Sequence, residues 1–91
     1  MLTNVSNVAR FTYNGTNTTV FQANPGEGLV RHEHDYSHLT ACLQGRIAVR
    51  KEGKEIVLTS ASNPLLLTAN EWHEFEALDP NTIFINQYEV K

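Results

Sequence analysis

Apolar and polar residues alternate in short runs along this chain, and each run ends at a turn signal. Phe11–Tyr13 and Thr18–Gln22 are rich in β-branched and aromatic residues and flank Asn14-Gly15, a hairpin signal. Asn24–Gly28 reads as a loop. Leu29–His34 and His38–Leu43 follow as strands, and Gly45 permits a tight turn into Arg46–Arg50. Glu52-Gly53 turns the chain back through Glu55–Thr59. After a loop over Ser60–Asn63, Pro64–Thr68 is a short apolar strand, and Ala69–Glu71 is a further turn. His73–Leu78 alternates strictly, Asp79–Asn81 interrupts, and Thr82–Val90 closes the chain. No segment has the period of a three-turn helix. About eight short strands separated by regular turn signals predict an all-β sandwich or barrel. The Asn- and Thr-rich start is expected to be loosely held or to supply an edge strand, with residues 1–10 the loosest part.

Composition narrows this picture without changing it. With 91 residues, 41% of them hydrophobic, the chain is expected to form a single domain over residues 1–91. A domain of this size buries only about 60–65% of its unfolded surface, so a metal or a dimer partner would relieve marginal stability. Homodimerisation is expected because a small open barrel leaves edge strands and an apolar face to cover. The net charge of −3 argues against electrostatic binding to nucleic acid or to anionic lipid. No apolar run approaches the roughly 18 residues of a membrane span. Residues Met1–Asn7 have neither a basic start nor an apolar stretch, so no signal peptide is expected. The Asn-x-Ser/Thr triplets at Asn4, Asn14 and Asn17 are then not expected to carry glycans. The lone cysteine, Cys42, excludes an internal disulfide, and a cytoplasmic location is expected.

The chemistry lies in the histidines. His32, His34 and His38 fall within seven residues, and His73 stands alone further on. Neutral imidazole is the commonest side-chain ligand for transition metals. Positions 32, 34 and 38 share parity, so one face of an extended chain would carry all three. On a helix His32 and His34 would point about 200° apart. A straight strand, however, separates His32 from His38 by roughly 20 Å, while an ion wants each nitrogen at about 2.0–2.1 Å. The backbone must therefore turn between His34 and His38, where Asp35 and Ser37 have side chains that bond nearby backbone. His32 and His34 would end one strand, His38 would open the next, and a third strand must deliver His73.

These residues resemble a known pattern. Gly26, His32, His34, His38 and Gly45 are spaced as in the first conserved motif of the cupin family, Gly-x5-His-x-His-x3–4-Glu-x6-Gly, with His38 where the glutamate usually stands. The second motif, Gly-x5-Pro-x-Gly-x2-His-x3-Asn, is matched only at His73. Ser62, Thr68, Asn70 and Ala77 hold its other fixed positions. Asn70 at least tolerates the left-handed turn of a glycine. The resemblance spans Gly26 to His73. It implies a double-stranded β-helix, a small jelly-roll barrel, with His32, His34 and His73 as ligands to one divalent transition metal: Fe, Mn, Ni or Zn. His38 is added as a fourth ligand on chemical grounds, since imidazole binds such ions about as readily as carboxylate does.

Four neutral imidazoles leave the ion's charge uncompensated, which favours an anionic substrate. A closed tetrahedral Zn would be structural; a six-coordinate ion keeps two positions open. The resemblance implies a metal-dependent dioxygenase, isomerase or lyase acting on a small oxygenated or carboxylated metabolite. The alternative is a non-catalytic barrel that binds or senses a sugar or organic acid. Tyr36, Arg50 and Trp72 are the candidate pocket residues. For Tyr36 and Trp72 plain packing competes with that role, and for Arg46 and Arg50 a solvated edge does. Glu33 and Glu74, of opposite parity to their histidine neighbours, should face away from the ion. Cys42 shares the parity of His38 but reads as buried packing.

Overall fold

A computed structural model describes residues 2–90 of the chain. Ten strands account for its regular structure: β1 (Thr3–Asn4), β2 (Asn7–Tyr13), β3 (Thr16–Ala23), β4 (Glu27–His32), β5 (His38–Gln44), β6 (Arg46–Lys51), β7 (Lys54–Thr59), β8 (Leu65–Leu67), β9 (His73–Ala77) and β10 (Thr82–Glu89). Among the described residues there is no helix, hence none long and apolar enough to cross a membrane. The strands from β3 onward lie where the alternation predicts, displaced by a residue or two at their ends. The start of the chain takes the second of its two expected forms and supplies edge strands, β1 to one sheet and β2 to the other. Thr3 and Asn4 pair in parallel with Glu27 and Gly28, and Asn7–Tyr13 pairs along β3. The segment is thus held by ladder hydrogen bonds at the sheet edges despite its polar composition; Met1 lies outside the described residues.

The strands form two five-stranded sheets, ordered β1-β4-β9-β6-β7 and β2-β3-β10-β5-β8. Successive strands repeatedly cross from one sheet to the other, the arrangement of a double-stranded β-helix. Inward residues of both sheets meet in one core. Ile47, Val49 and Phe75 from the first sheet and Leu67 and Phe84 from the second are wholly buried. Phe21 stacks on Phe84 with ring centroids 5.0 Å apart. At roughly 1.5–3 kcal/mol per fully buried apolar side chain, this layer holds the sheets together. The histidines adjoin this core: His38 pairs with Leu67, and the His73 ring lies 5.4 Å from that of Phe75.

Gly28 brings two histidine strands into register. It pairs with Glu76 across β4 and β9, and a Cβ built there would stand 1.9 Å from the Phe75 carbonyl oxygen. Only a residue without a Cβ allows this approach, and the same ladder then pairs His32 with His73. Gly28→Ala is expected to cost about 2 kcal/mol by forcing the strands apart. Urea denaturation checks it; an unchanged midpoint would mean that the ladder relaxes freely.

Candidate metal centre

Three elements converge on the site. His32 is the last residue of β4 and His73 the first of β9, paired across the first sheet. His38 opens β5 in the opposite sheet. His34 lies beyond the end of β4, in the five-residue crossover, and not within the strand as the parity reading had it. Ligand nitrogens of His32, His34 and His73 all lie within 4.8 Å of one another. His38 stands at the edge of this trio, its ring centroid 5.0 Å from that of His34 and 5.2 Å from that of His73.

The crossover is held from outside itself. Asn70 N–H donates to the His34 carbonyl at 2.7 Å, and Ala69 N–H donates to Ser37 Oγ at 3.0 Å. Ser37 therefore anchors the segment that precedes His73 and does not bond its own neighbours as a turn residue would. Asn70 adopts φ 65°, the left-handed conformation its place in the second motif calls for.

The imidazoles share one orientation. Nδ1–H of His32 donates to the Val30 carbonyl at 2.8 Å, that of His34 to the Tyr36 carbonyl at 3.1 Å, and that of His73 to the Glu71 carbonyl at 3.0 Å. His38 Nδ1–H has a side-chain acceptor, Thr40 Oγ1 at 3.2 Å, whose own hydroxyl donates to Asn86 Oδ1 at 2.7 Å. Each ring spends Nδ1 on an outer acceptor, so Nε2 carries the free lone pair, as in most metal-binding histidines. The buried Nε2 atoms of His38 and His73 have no hydrogen-bond partner. Buried polar atoms are normally paired, and two orphan acceptors in one cluster are what a missing cation would explain. The donor set fits a divalent transition metal. Nitrogens about 2.1 Å from a common ion stand roughly 3.0–3.4 Å apart in tetrahedral or facial arrangements, so the trio would draw closer together on taking up a metal.

Burial, with lesser repulsion from neighbouring imidazoles, pushes both His38 and His73 down to about 4. Both stay neutral and able to ligate across the physiological range. Thr40→Val removes the acceptor that orients His38 while keeping shape. It is expected to weaken metal binding about 10-fold, read by competition with a chromophoric chelator; an unchanged affinity would detach His38 from the ion.

Beside the cluster lies a cavity of about 180 Å³, lined by His32, His34 and His38, by the apolar Phe21 and Leu29, and by the polar Thr19, Tyr36, Asn86 and Tyr88. Tyr36 stacks on His34 at 4.2 Å, nearly parallel, and approaches Tyr88 at 4.8 Å. Burial, then the neighbouring Tyr88, raises the Tyr36 phenol above its ordinary value, so it remains a hydroxyl donor. The other two candidate pocket residues are elsewhere. Arg50 lies on the outer face of its sheet, bonded to Glu76 at 2.8 Å, Glu55 at 2.8 Å and Glu74 at 3.2 Å. Trp72 packs beneath the Arg31 guanidinium, 3.9 Å from its ring centroid. Strand parity explains both displacements: Arg50 alternates with the inward Val49, and Trp72 precedes the inward His73. Cys42 is buried in the core, its thiol donating to the Gln44 carbonyl. Thr40, Asn86 and Tyr88 were missed from sequence. Their only signal is shared parity, Thr40 with His38, and Asn86 and Tyr88 with the buried Phe84.

Comparison with solved structures identifies the architecture. A cupin-2 domain protein from Shewanella frigidimarina superposes with a TM-score of 0.72 at 13% identity, over 93% of this chain and 83% of that one. KdgF from a Halomonas species gives a TM-score of 0.80 at 16% identity, over 91% and 76%. A cupin 2 domain-containing protein from Halorhodospira halophila gives 0.78 at 16%, over 91% and 62%. The chain has the cupin fold. No protein-family model matches the sequence, and no curated protein matches it. The likeness of this chain to those proteins is therefore one of architecture.

Proposed function

We propose that His32, His34, His38 and His73 hold one divalent transition metal, Fe, Mn, Ni or Zn, and that this cupin is a metal-dependent enzyme. Its substrate is a small oxygenated or carboxylated metabolite, and its reaction is of dioxygenase, isomerase or lyase type. The observation that carries this reading is the pair of orphan Nε2 atoms, on His38 and His73, in a cluster whose four Nδ1 atoms are all engaged outward. A divalent ion in that place would act as a Lewis acid whose charge no ligand neutralises. Among the described residues no carboxylate, lysine or arginine lines the cavity, so an anionic oxygen of the substrate is the natural counter-charge.

The protein's own groups then orient the rest of the molecule. Asn86 Oδ1 accepts from Thr40, which leaves the Asn86 amide N–H groups as donors toward the cavity. The hydroxyls of Tyr36, Tyr88 and Thr19 would add further hydrogen bonds, and Phe21 and Leu29 supply apolar wall. The small volume suits a ligand of few heavy atoms with several oxygens.

Protein loaded in turn with Fe(II), Mn(II), Ni(II) or Zn(II) is expected to convert at least one compound from a panel of sugars, diketones and short organic acids. Chelation should reduce that turnover at least 100-fold, and reloading should restore it. Turnover that survives complete chelation would overturn the proposal. Saturable binding without product for every metal would favour the sensing barrel instead.

A further inference from the structure

The first sheet stops short beside the cavity. Its edge strand β1 pairs only with Glu27 and Gly28, and the chain then leaves for the other sheet. Among the described residues, therefore, no strand of that sheet lies beyond β4 at its His32 end. The second sheet does continue there, as β2. Register sets Arg10 opposite Thr19, Thr19 opposite Asn86, and Asn86 opposite Thr40. Residues directly across a sheet share a face, and Thr19 and Asn86 line the cavity. Arg10 thus ends the inward row that runs from behind His38 to the open side of the cavity.

Arg10 is also the arginine without a counter-charge. Arg31 stands 4.0 Å from Glu74, Arg46 bonds Asp79 at 2.9 Å, and Arg50 bonds Glu55 at 2.8 Å. Among the described residues Arg10 has no ion pair. Its charge nevertheless reaches the cavity mouth: burial and Tyr88 raise the Tyr36 phenol, and Arg10 acts on it in the opposite sense. Asp35 acts on the same phenol but does not pair with Arg10.

We infer that Arg10 binds a carboxylate of the substrate at the open side of the cavity, while another oxygen of the same molecule faces the imidazoles. This rests on the proposed use of the cavity and narrows its substrate from oxygenated molecules in general to acids. A guanidinium meets a carboxylate with two parallel N–H donors, and the cavity lining offers no other fixed positive charge. A phosphate monoester, with a charge of about −1.5 to −2, would be left partly unmatched by one arginine. Along the row Arg10 stands three strand spacings, about 14 Å, from Thr40. Its long side chain closes part of that gap, and a substrate of several carbons, with its carboxylate at one end, closes the rest.

Calorimetric titration of the full chain, metal-free and loaded with Zn(II), compares gluconate, 2-oxoglutarate and levulinate with the uncharged glucitol and 2,5-hexanedione. At least one acid is expected to bind at least 10-fold tighter than either neutral compound. Arg10→Gln should erase that preference, weakening the acid at least 10-fold, while metal content and the urea midpoint keep their wild-type values. Arg10→Lys should restore part of the affinity, because the charge remains. Lys54→Gln, on β7 at the far edge of the first sheet, should change nothing. An acid that binds Arg10→Gln as tightly as wild type, or a wild type that prefers no acid, would overturn the inference and leave Arg10 a solvated edge charge. Arg10-dependent binding without turnover of any compound would uphold it and overturn only the catalytic reading. Such binding to a chain that takes up no metal would uphold it and overturn only the metal site.

Discussion

Replacing His73 by Gln is expected to leave less than a tenth of the wild-type metal per chain, a loss of affinity exceeding 100-fold. Removal of an outer-shell partner alone typically costs 10–100-fold, and His73 is proposed as a ligand in its own right. Its ring is wholly buried with Nε2 unpartnered, so no water-exposed rotamer of a neighbour can replace it. Gln keeps most of the volume, which separates loss of a ligand from the cavity that Ala would open. The matched control is Glu74→Ala on the same strand. Glu74 points outward and bonds Arg50 at 3.2 Å in a part-buried pair away from the imidazoles. That variant should retain its metal. Elemental analysis of untagged protein reads both, and equal metal content in the two variants would remove His73 from the coordination set.

Metal-free protein is expected to lose stability between pH 6.5 and 4. His38 and His73 titrate near 4 in the folded chain, chiefly because burial disfavours the imidazolium, and near 6.5 when unfolded. Above pH 6.5 both states hold the rings neutral and stability is level. Below it the unfolded chain binds protons that the folded chain refuses, so unfolding becomes easier as pH falls. At about 1.4 kcal/mol per pH unit of difference, each ring contributes a loss of up to about 3 kcal/mol by pH 4. The two losses partly overlap, because a charge on one ring opposes a charge on the other. Urea denaturation of stripped protein from pH 8 to pH 4 measures it. His38→Leu should flatten the slope by about half; an unaltered slope would assign the acid sensitivity to other groups. For these two rings proton competition with the metal likewise begins near pH 4, well below the value of about 6.5 for a free imidazole.

The strand positions were legible because an antiparallel sandwich with one buried face imposes a period of two on its sequence. His73–Ala77 shows this cleanly, with His73, Phe75 and Ala77 buried and Glu74 and Glu76 turned out. The first ten residues were not legible for the same reason. β2 is exposed at every position, so no alternation marks it, and only its ladder to β3 reveals it. The same logic divides the site. Shared parity and the required turn pointed to the convergence of His32, His34 and His38, and the motif match added His73. Parity also left Arg50 and Trp72 open as pocket residues, because alternation tells which side chains share a face but not which face is inside.

The local pattern by itself determined an all-β chain, its turns and four histidines aimed at common chemistry, since these depend on backbone period and ligand type alone. Tertiary structure decided the rest. It paired His32 with His73 across strands 41 residues apart in sequence, set Thr40 and Asn86 behind His38, and turned the ion pairs of Arg50 to the outer face of its sheet. Such relations depend on which strands become neighbours. That choice is settled by the packing of the whole core and the register it enforces, which no local stretch of sequence contains.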